Sequence, residues 1–342
     1  MKPAVTALSL LLMLTAVRAQ DPARPLTSAD LVKAHRNNLV FVQGAEGSGS
    51  GFIVRFGNAN FLVTNAHVAS GIRGAGFKTL DGTQVQLGAA FIAVGHDIFR
   101  IAVASGGKPM EIMERVEENA SIDDDVVVLG NAEGAGVINT IKGKIVGIGP
   151  NLVEVDAPFV PGNSGSPIIH LKSGKVIGVA TYLTVKNYDP ATRQKLGQAR
   201  VRRFGYRLDS VKTWQPVNWG VLFAQSSELE KVEQLTEDLG KFLMDLARNH
   251  RVTPGAHTNP AIKTQIEWWT AKSSSRLSPR DAATADQNFF AGLKNTSTAD
   301  LVTARQHFTY DYFQRALTDQ QQQRRGITEV FDQILGEMRK AR

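Results

Sequence analysis

The stretch Pro161-Gly162-Asn163-Ser164-Gly165-Ser166-Pro167-Ile168 carries more information than any other in the chain. A serine that attacks a carbonyl group must sit on a turn whose backbone N–H groups converge on the oxygen that gains charge. Glycines allow both that turn and the close approach of a substrate. Gly162, Asn163 and Ser164 therefore form a candidate oxyanion turn, with the amides of Gly162 and Ser164 as its donors. The same composition suits an ordinary hairpin, so the reading needs partners elsewhere in the chain.

Two upstream stretches supply them. Phe61-Leu62-Val63-Thr64-Asn65-Ala66-His67-Val68 is an apolar run that ends in small residues and a histidine. Gly95-His96-Asp97-Ile98-Phe99-Arg100 places an aspartate at the head of another apolar run. An imidazole takes up a proton near neutral pH, and a carboxylate beside it fixes its tautomer and stabilises the imidazolium. His67, Asp97 and Ser164 are the candidate catalytic group. His96 reads as a surface or supporting residue. Each motif is weak alone, but their order on three β-like runs gives them weight together.

Between residues 39 and 223 the chain is a succession of short β-like runs separated by Gly, Asn and Asp. They cover 38–42, 51–55, 60–64, 84–93, 125–129, 138–148, 152–155, 166–171 and 176–183. Runs such as Val126-Val127-Val128-Leu129 are too apolar to alternate, as expected of strands buried on both faces. Many short strands with turn signals between them indicate a barrel or a sandwich.

After Gln225 the period changes. Leu229, Val232, Leu235, Leu239, Phe242, Leu243 and Leu246 recur at helical spacing, behind a capping-box pattern at Ser227 and Glu230. Further helices are expected over 261–272, from Ser278-Pro279, from Ser297, and from Gly326 onward. This region, 226–342, is expected to be accessory to the catalytic residues, and its Leu and Phe faces offer a route to homo-oligomers.

Taken together, these stretches resemble the trypsin-like serine peptidases of bacteria, particularly the HtrA/Deg type. The resemblance rests on Gly47-Ser48-Gly49-Ser50-Gly51-Phe52, Thr64-Asn65-Ala66-His67-Val68, His96-Asp97-Ile98 and Gly162-Asn163-Ser164-Gly165-Ser166-Pro167, with Lys175-Val176-Ile177-Gly178-Val179 and Gly205-Tyr206-Arg207-Leu208 after them. It implies a mainly β fold, a chymotrypsin-like double β-barrel of two six-stranded barrels over residues 28–225 with the catalytic group in the cleft between them. The helical region follows. It also implies serine endopeptidase activity on polypeptides, with a substrate pocket drawn from Pro158, Phe159, Val179, Ala180, Thr181, Gly205 and Tyr206. No acidic residue stands among 158–160, which points to cleavage after small or medium apolar residues, with Asp156, His170 and Arg207 as the charged side chains that could alter it. The chain departs from the family in Ile98-Phe99-Arg100 after Asp97, in Ser166 where a second glycine is commoner, and in lacking a PDZ-like strand pattern at its C-terminal end.

Other chemistries fit poorly. An α/β-hydrolase needs a Gly-x-Ser-x-Gly elbow with acid and histidine after the serine, and here both precede it. The glycines of 44–51 have no Gly-Lys-Ser/Thr ending, and there is neither a His-Glu-x-x-His pattern nor any cysteine to bind a metal. No cofactor is called for. The remaining alternative is a catalytically inactive, protease-like binding or scaffolding protein that acts through its helical region.

The first residues set the compartment. Lys2, the apolar run 4–17 and the small residues around Val17-Arg18-Ala19 read as a signal peptide over 1–19, too short to span a bilayer as a stable anchor. A periplasmic or extracellular protein is expected. It would hold together without disulfides, since there are 0 cysteines in 342 residues, so packing of its 42% hydrophobic residues must supply the stability. The formal charge of +7 is spread along the chain and interleaved with acids such as Asp123-Asp124-Asp125. That suits solubility better than a nucleic-acid surface, which would concentrate its basic residues in a stripe.

Overall fold

The β-branched and aromatic runs pair as antiparallel strands, joined by turns that glycine and asparagine permit. The computed structural model describes residues 26–44, 48–71, 73–74, 76–104, 108–131, 136–188, 195–249, 257, 259–273 and 275–340. The expected signal peptide and Gly47 lie outside these residues.

Strands β1 (Leu39–Gln43), β2 (Ser48–Phe56), β3 (Ala59–Thr64), β4 (Gly76–Thr79), β5 (Leu87–Ala93) and β6 (Phe99–Val103) lie in one sheet. Strands β7 (Asp125–Gly130), β8 (Asn139–Ile148), β9 (Leu152–Val155), β10 (Pro167–His170), β11 (Lys175–Tyr188) and β12 (Lys195–Tyr206) close into a barrel. The chain then returns to the first sheet, where β13 (Trp214–Pro216) pairs with β5 in the order β13-β5-β6-β3-β2-β1-β4. The mainly β, chymotrypsin-like class is the one expected, with one difference. The first unit has seven strands, not six, because β13 adds to its edge, and its hydrogen-bonded order does not close among the described residues.

Two apolar cores follow from this arrangement. Val126, Val128, Ile145, Val153, Phe159 and Ile177 fill the closed barrel. Phe52, Val63, Ile98, Leu129, Val176 and Val179 pack the two sheets against each other, with Leu31 of the N-terminal helix α1 (Ser28–His35) beneath them. The short helices α2 (Ala66–Gly71) and α3 (Val116–Asn119) lie in the loops.

The helical region comprises α4 (Trp219–Asn249), α5 (Pro260–Ser273), α6 (Pro279–His307) and α7 (Asp311–Lys340). Ser278 caps α6 as its sequence suggests, its side chain accepting from the Asp281 amide, and Pro279 opens the helix. Three other expected starts fall inside helices. Ser227 and Glu230 lie within α4, Ser297 within α6 and Gly326 within α7, because packing carries each helix through a residue that local preference alone would treat as a boundary.

The expectation that this region is accessory is corrected by its packing. Leu222, Leu229, Val232, Leu301, Phe308, Phe313 and Leu317 belong to one continuous apolar cluster with Val40, Leu62, Ile92, Phe99 and Ile101 of the first sheet. Burial of such a side chain is worth about 1.5–3 kcal/mol, so the first sheet's stability depends on helices that follow it. The apolar faces expected to join copies are occupied as well. Leu235, Leu239 and Phe242 pack with Ile262, Phe289, Phe290 and Phe331 inside the helical bundle.

Candidate active site

Strand β3 ends at Thr64, and the chain turns at once into α2, which brings His67 to the edge of the first sheet. Asp97 precedes β6, the neighbour of β3, after a turn in which Gly95 adopts φ +80°. The two residues meet through two contacts. The Asp97 carboxylate accepts the His67 backbone amide at 3.0 Å on one oxygen and engages the ring Nδ1 at 2.6 Å with the other. That arrangement leaves Nε2 as the nitrogen available for proton transfer. Removal from water is the largest influence on the imidazole and lowers its pKa. The Asp97 charge, its hydrogen bond and the Glu233 charge together outweigh it, so His67 titrates above its ordinary range. Burial would raise Asp97, but His67 and the amides of His67 and Ala66 hold its carboxyl below the usual range.

The serine lies across the cleft on the closed barrel. Gly162 adopts φ +93° and Gly165 φ +86°, conformations that suit glycine and form the tight turn around Ser164. A Cβ on Gly165 would fall 2.0 Å from the carbonyl oxygen of Ser50, so backbone from the first sheet occupies the space. Ser50 also supports the turn directly. Its amide donates to Ser164 O at 2.8 Å, and its hydroxyl donates to Gly162 O at 3.2 Å.

The amides of Gly162 and Ser164 donate to no protein acceptor among the described residues. Asn163, included in the oxyanion turn from the sequence, differs from them. Its amide donates to Val160 O at 3.0 Å and its side-chain oxygen accepts from the Val160 amide, so it belongs to the frame of the turn. Ser164 Oγ donates to Thr181 O at 3.3 Å, and no hydrogen bond joins it to His67 in this conformation.

Asn65 received no role from the sequence although it stands beside His67. Its Nδ2 donates to Asp97 O at 2.7 Å and to Thr181 Oγ1 at 3.0 Å, tying the aspartate loop to the strand beside Ser164. Only the tertiary pairing of β11 with this loop gives that side chain its second partner.

The expected substrate pocket is brought together in part. Val179 and Ala180 pair with Tyr206 and Gly205 across β11 and β12. Both Val179 and Ala180 turn their side chains into the apolar cores, and Phe159 is likewise buried in the closed barrel, while Pro158 is exposed. Thr181 and Tyr206 are the members with polar groups beside the loops that carry Asp97 and Ser164.

The nearby charged candidates are engaged elsewhere. Asp156 accepts the Lys144 amide at 2.5 Å, His170 lies between Asp124 and Ser173, and Arg207 forms a close pair with Asp209 and Glu117. Arg207 and Asp209 line a 1330 Å³ cavity that includes none of His67, Asp97 or Ser164. His96 supports the loop. It is buried between Val94 O and the Ser210 hydroxyl, and loss of hydration keeps its pKa low.

Residues 49–179 match the family model described as the trypsin-like peptidase domain. That part of the chain is similar to a trypsin-like peptidase domain. Its similarity extends to a mitochondrial Do-like 3 protease of Arabidopsis thaliana, 31% identical over 154 residues, which are 40% of this chain and 26% of that protein. Serine protease HTRA3 of Rattus norvegicus is 30% identical over 39% of this chain and 32% of its own length. A periplasmic serine endoprotease of DegP-like type from Rickettsia conorii is 30% identical over 39% of this chain and 28% of its own. The chain thus spans a third or less of the length of these three relatives. The crystal structure of a serine endoprotease from Yersinia pestis aligns over 54% of this chain and 63% of that one, with 21% identity and a TM-score of 0.38. The peptidase-domain match includes His67, Asp97 and Ser164 and ends before the helical region.

Proposed function

We propose that this protein is an exported serine endopeptidase that hydrolyses peptide bonds through His67, Asp97 and Ser164. The observation that carries the reading is the doubly bonded His67–Asp97 pair, at 2.6 and 3.0 Å, facing a glycine turn whose amides at 162 and 164 are uncommitted. In this mechanism Ser164 Oγ rotates from Thr181 O toward His67, which takes its proton as the oxygen attacks the substrate carbonyl. The oxyanion accepts the two turn amides. His67 then protonates the leaving amine, and water cleaves the acyl-enzyme by the same route. Asp97 keeps Nδ1 protonated and offsets the imidazolium charge.

The leader-like residues 1–19 support a periplasmic or extracellular location, as does the similarity to a DegP-like endoprotease described as periplasmic. No helix among the described residues is long and apolar enough to cross a membrane. Polypeptides are the proposed partners, and nucleic acid is not. For the residue that supplies the attacked carbonyl, the absence of acidic side chains at 158–160 supports a small or medium apolar preference.

The Ser164–Thr181 hydrogen bond favours a second reading, a catalytically inert protease-like scaffold. A fluorophosphonate probe separates the two. The peptidase gives a covalent adduct at Ser164 that is absent from Ser164→Ala, whereas a folded wild-type chain without any adduct would overturn the proposal.

A further inference from the structure

The peptidase-domain match stops at residue 179, yet the helical region reaches the catalytic cleft. Val68 and Ala69, the two residues that follow His67 on α2, share an apolar cluster with Leu229 and Val232 of α4. That contact brings the next residue, Glu233, within electrostatic reach of His67. Loss of hydration, and after it the like charge of Glu230 one turn earlier on α4, raise the Glu233 carboxyl above its ordinary value.

From the other side, α7 is fastened to the loop that carries Asp97. The Asp311 carboxylate accepts the Gly95 amide at 2.8 Å and also accepts from Arg315 at 2.8 Å, while Arg315 lies within electrostatic reach of Tyr206. Tyr312, next to Asp311, lies within electrostatic reach of Asp97, Glu233 and Tyr206. Two helices therefore border the cleft, and the charged groups they bring differ in one respect. Arg315 is paired with Asp311, but the exposed Glu233 carboxylate makes no ion pair or hydrogen bond among the described residues. A carboxylate without a partner among the described residues, within electrostatic reach of the catalytic histidine, is available to a cation that arrives with the substrate.

We propose that Glu233 is a specificity-determining residue whose carboxylate receives the ammonium or guanidinium group of a substrate Lys or Arg flanking the scissile bond. This rests on the endopeptidase reading above. It concerns a neighbouring substrate residue, distinct from the one whose carbonyl is attacked. The rest of the helical border, with Tyr312 and the Asp311–Arg315 pair, limits how the flanking side chain can lie.

The test uses the full chain and paired peptides that carry Lys or its uncharged analogue norleucine at each position flanking the scissile bond. At one position the wild type should favour Lys in kcat/KM by about 3- to 10-fold, the range of a partly screened ion pair. The preference should fall to near unity in Glu233→Gln and should turn toward a Glu-containing peptide in Glu233→Lys. Glu329→Gln, on the distant part of α7, should keep the wild-type ratio. An active, probe-labelled wild type that cleaves every pair equally would overturn this inference alone, as would a ratio unchanged in Glu233→Gln and Glu233→Lys. A wild type that neither cleaves nor labels would fail the peptidase reading, and this inference with it.

Discussion

The two β units solve the same packing problem differently. The closed barrel of β7 to β12 buries its core among its own strands, α3 and the adjoining loops, whereas the first sheet does not close among the described residues and shares its apolar cluster with α4, α6 and α7. A sheet that does not close must be covered, or it leaves apolar surface and unpaired backbone exposed to water. The cover here is the helical region. Because the first sheet holds His67 and Asp97 while the closed barrel holds Ser164, the helices bear directly on two residues of the proposed catalytic group and on the third only through the interface.

The largest expected break in that comparison comes from removing the cover. A chain ending at Val217 should lose its cooperative fold, read as loss of soluble, near-UV-structured protein, since Leu222, Phe308, Phe313 and Leu317 would no longer shield Leu62, Ile92 and Phe99. A soluble, active product of that truncation would show that the first sheet closes by itself.

Substitutions at the site come next and should affect both units equally, since the chemistry needs both. Ser164→Ala and His67→Ala are each expected to lower turnover by several orders of magnitude, with the double variant little worse than either. Asp97→Asn should cost about 10⁴-fold near neutral pH by favouring the wrong tautomer of His67. His96→Ala should be mild by comparison. Equal damage from His96→Ala and His67→Ala, measured on one peptide substrate, would contradict the assignment.

Arg324 sharpens the comparison inside the cover. It is buried, and its guanidinium bonds the Asp300 carboxylate at 2.6 and 2.8 Å, the Thr236 hydroxyl and Ser297 O, so that it joins α4, α6 and α7. Arg324→Met should destabilise the chain by about 3 kcal/mol, as removal of one member of a buried ion pair does. Its denaturant midpoint should fall while the activity of the folded fraction persists. Unchanged stability would mean that the bundle does not depend on this network.

The smallest effect is a shift in pH dependence. Activity requires neutral His67, so it should rise with pH through an inflection above the ordinary histidine value of about 6.5. Stability should move in the opposite sense over that window. A histidine raised on folding stabilises fully below its unfolded pKa, and the contribution is lost as pH rises through the folded one. Asp97, lowered on folding, adds stability that is lost as pH falls through its folded value. Because the Glu233 charge helps to raise His67, Glu233→Gln should move the activity inflection to lower pH. A profile identical to the wild type would show that this carboxylate does not act on the histidine.

The peptidase-domain sequence was readable because its signals are local. Apolar runs between turn residues mark strands, and Gly162 and Gly165 mark a turn whose φ angles only glycine adopts readily. Three kinds of feature escaped such reading. The β13 strand was missed because Trp214–Pro216 is too short to show alternation and becomes a strand only by pairing with β5. The starts assigned to Ser227, Ser297 and Gly326 fell inside helices because long-range burial outweighs a local cap or a glycine. Glu233 resembles any charge on a solvated helix face, and no pattern within α4 records which neighbour it will meet.

The identity and order of the candidate reactive groups, the glycine turn around Ser164 and the change from β to helical period are legible in the primary structure, since each rests on short stretches of neighbouring residues. The folded arrangement alone shows that Asn65 bridges the aspartate loop to Thr181, that the helices cover the first sheet and that Glu233 comes within electrostatic reach of His67. Those relations join residues separated by 32 positions or more, and what selects them is the burial of apolar faces whose partners no local pattern specifies.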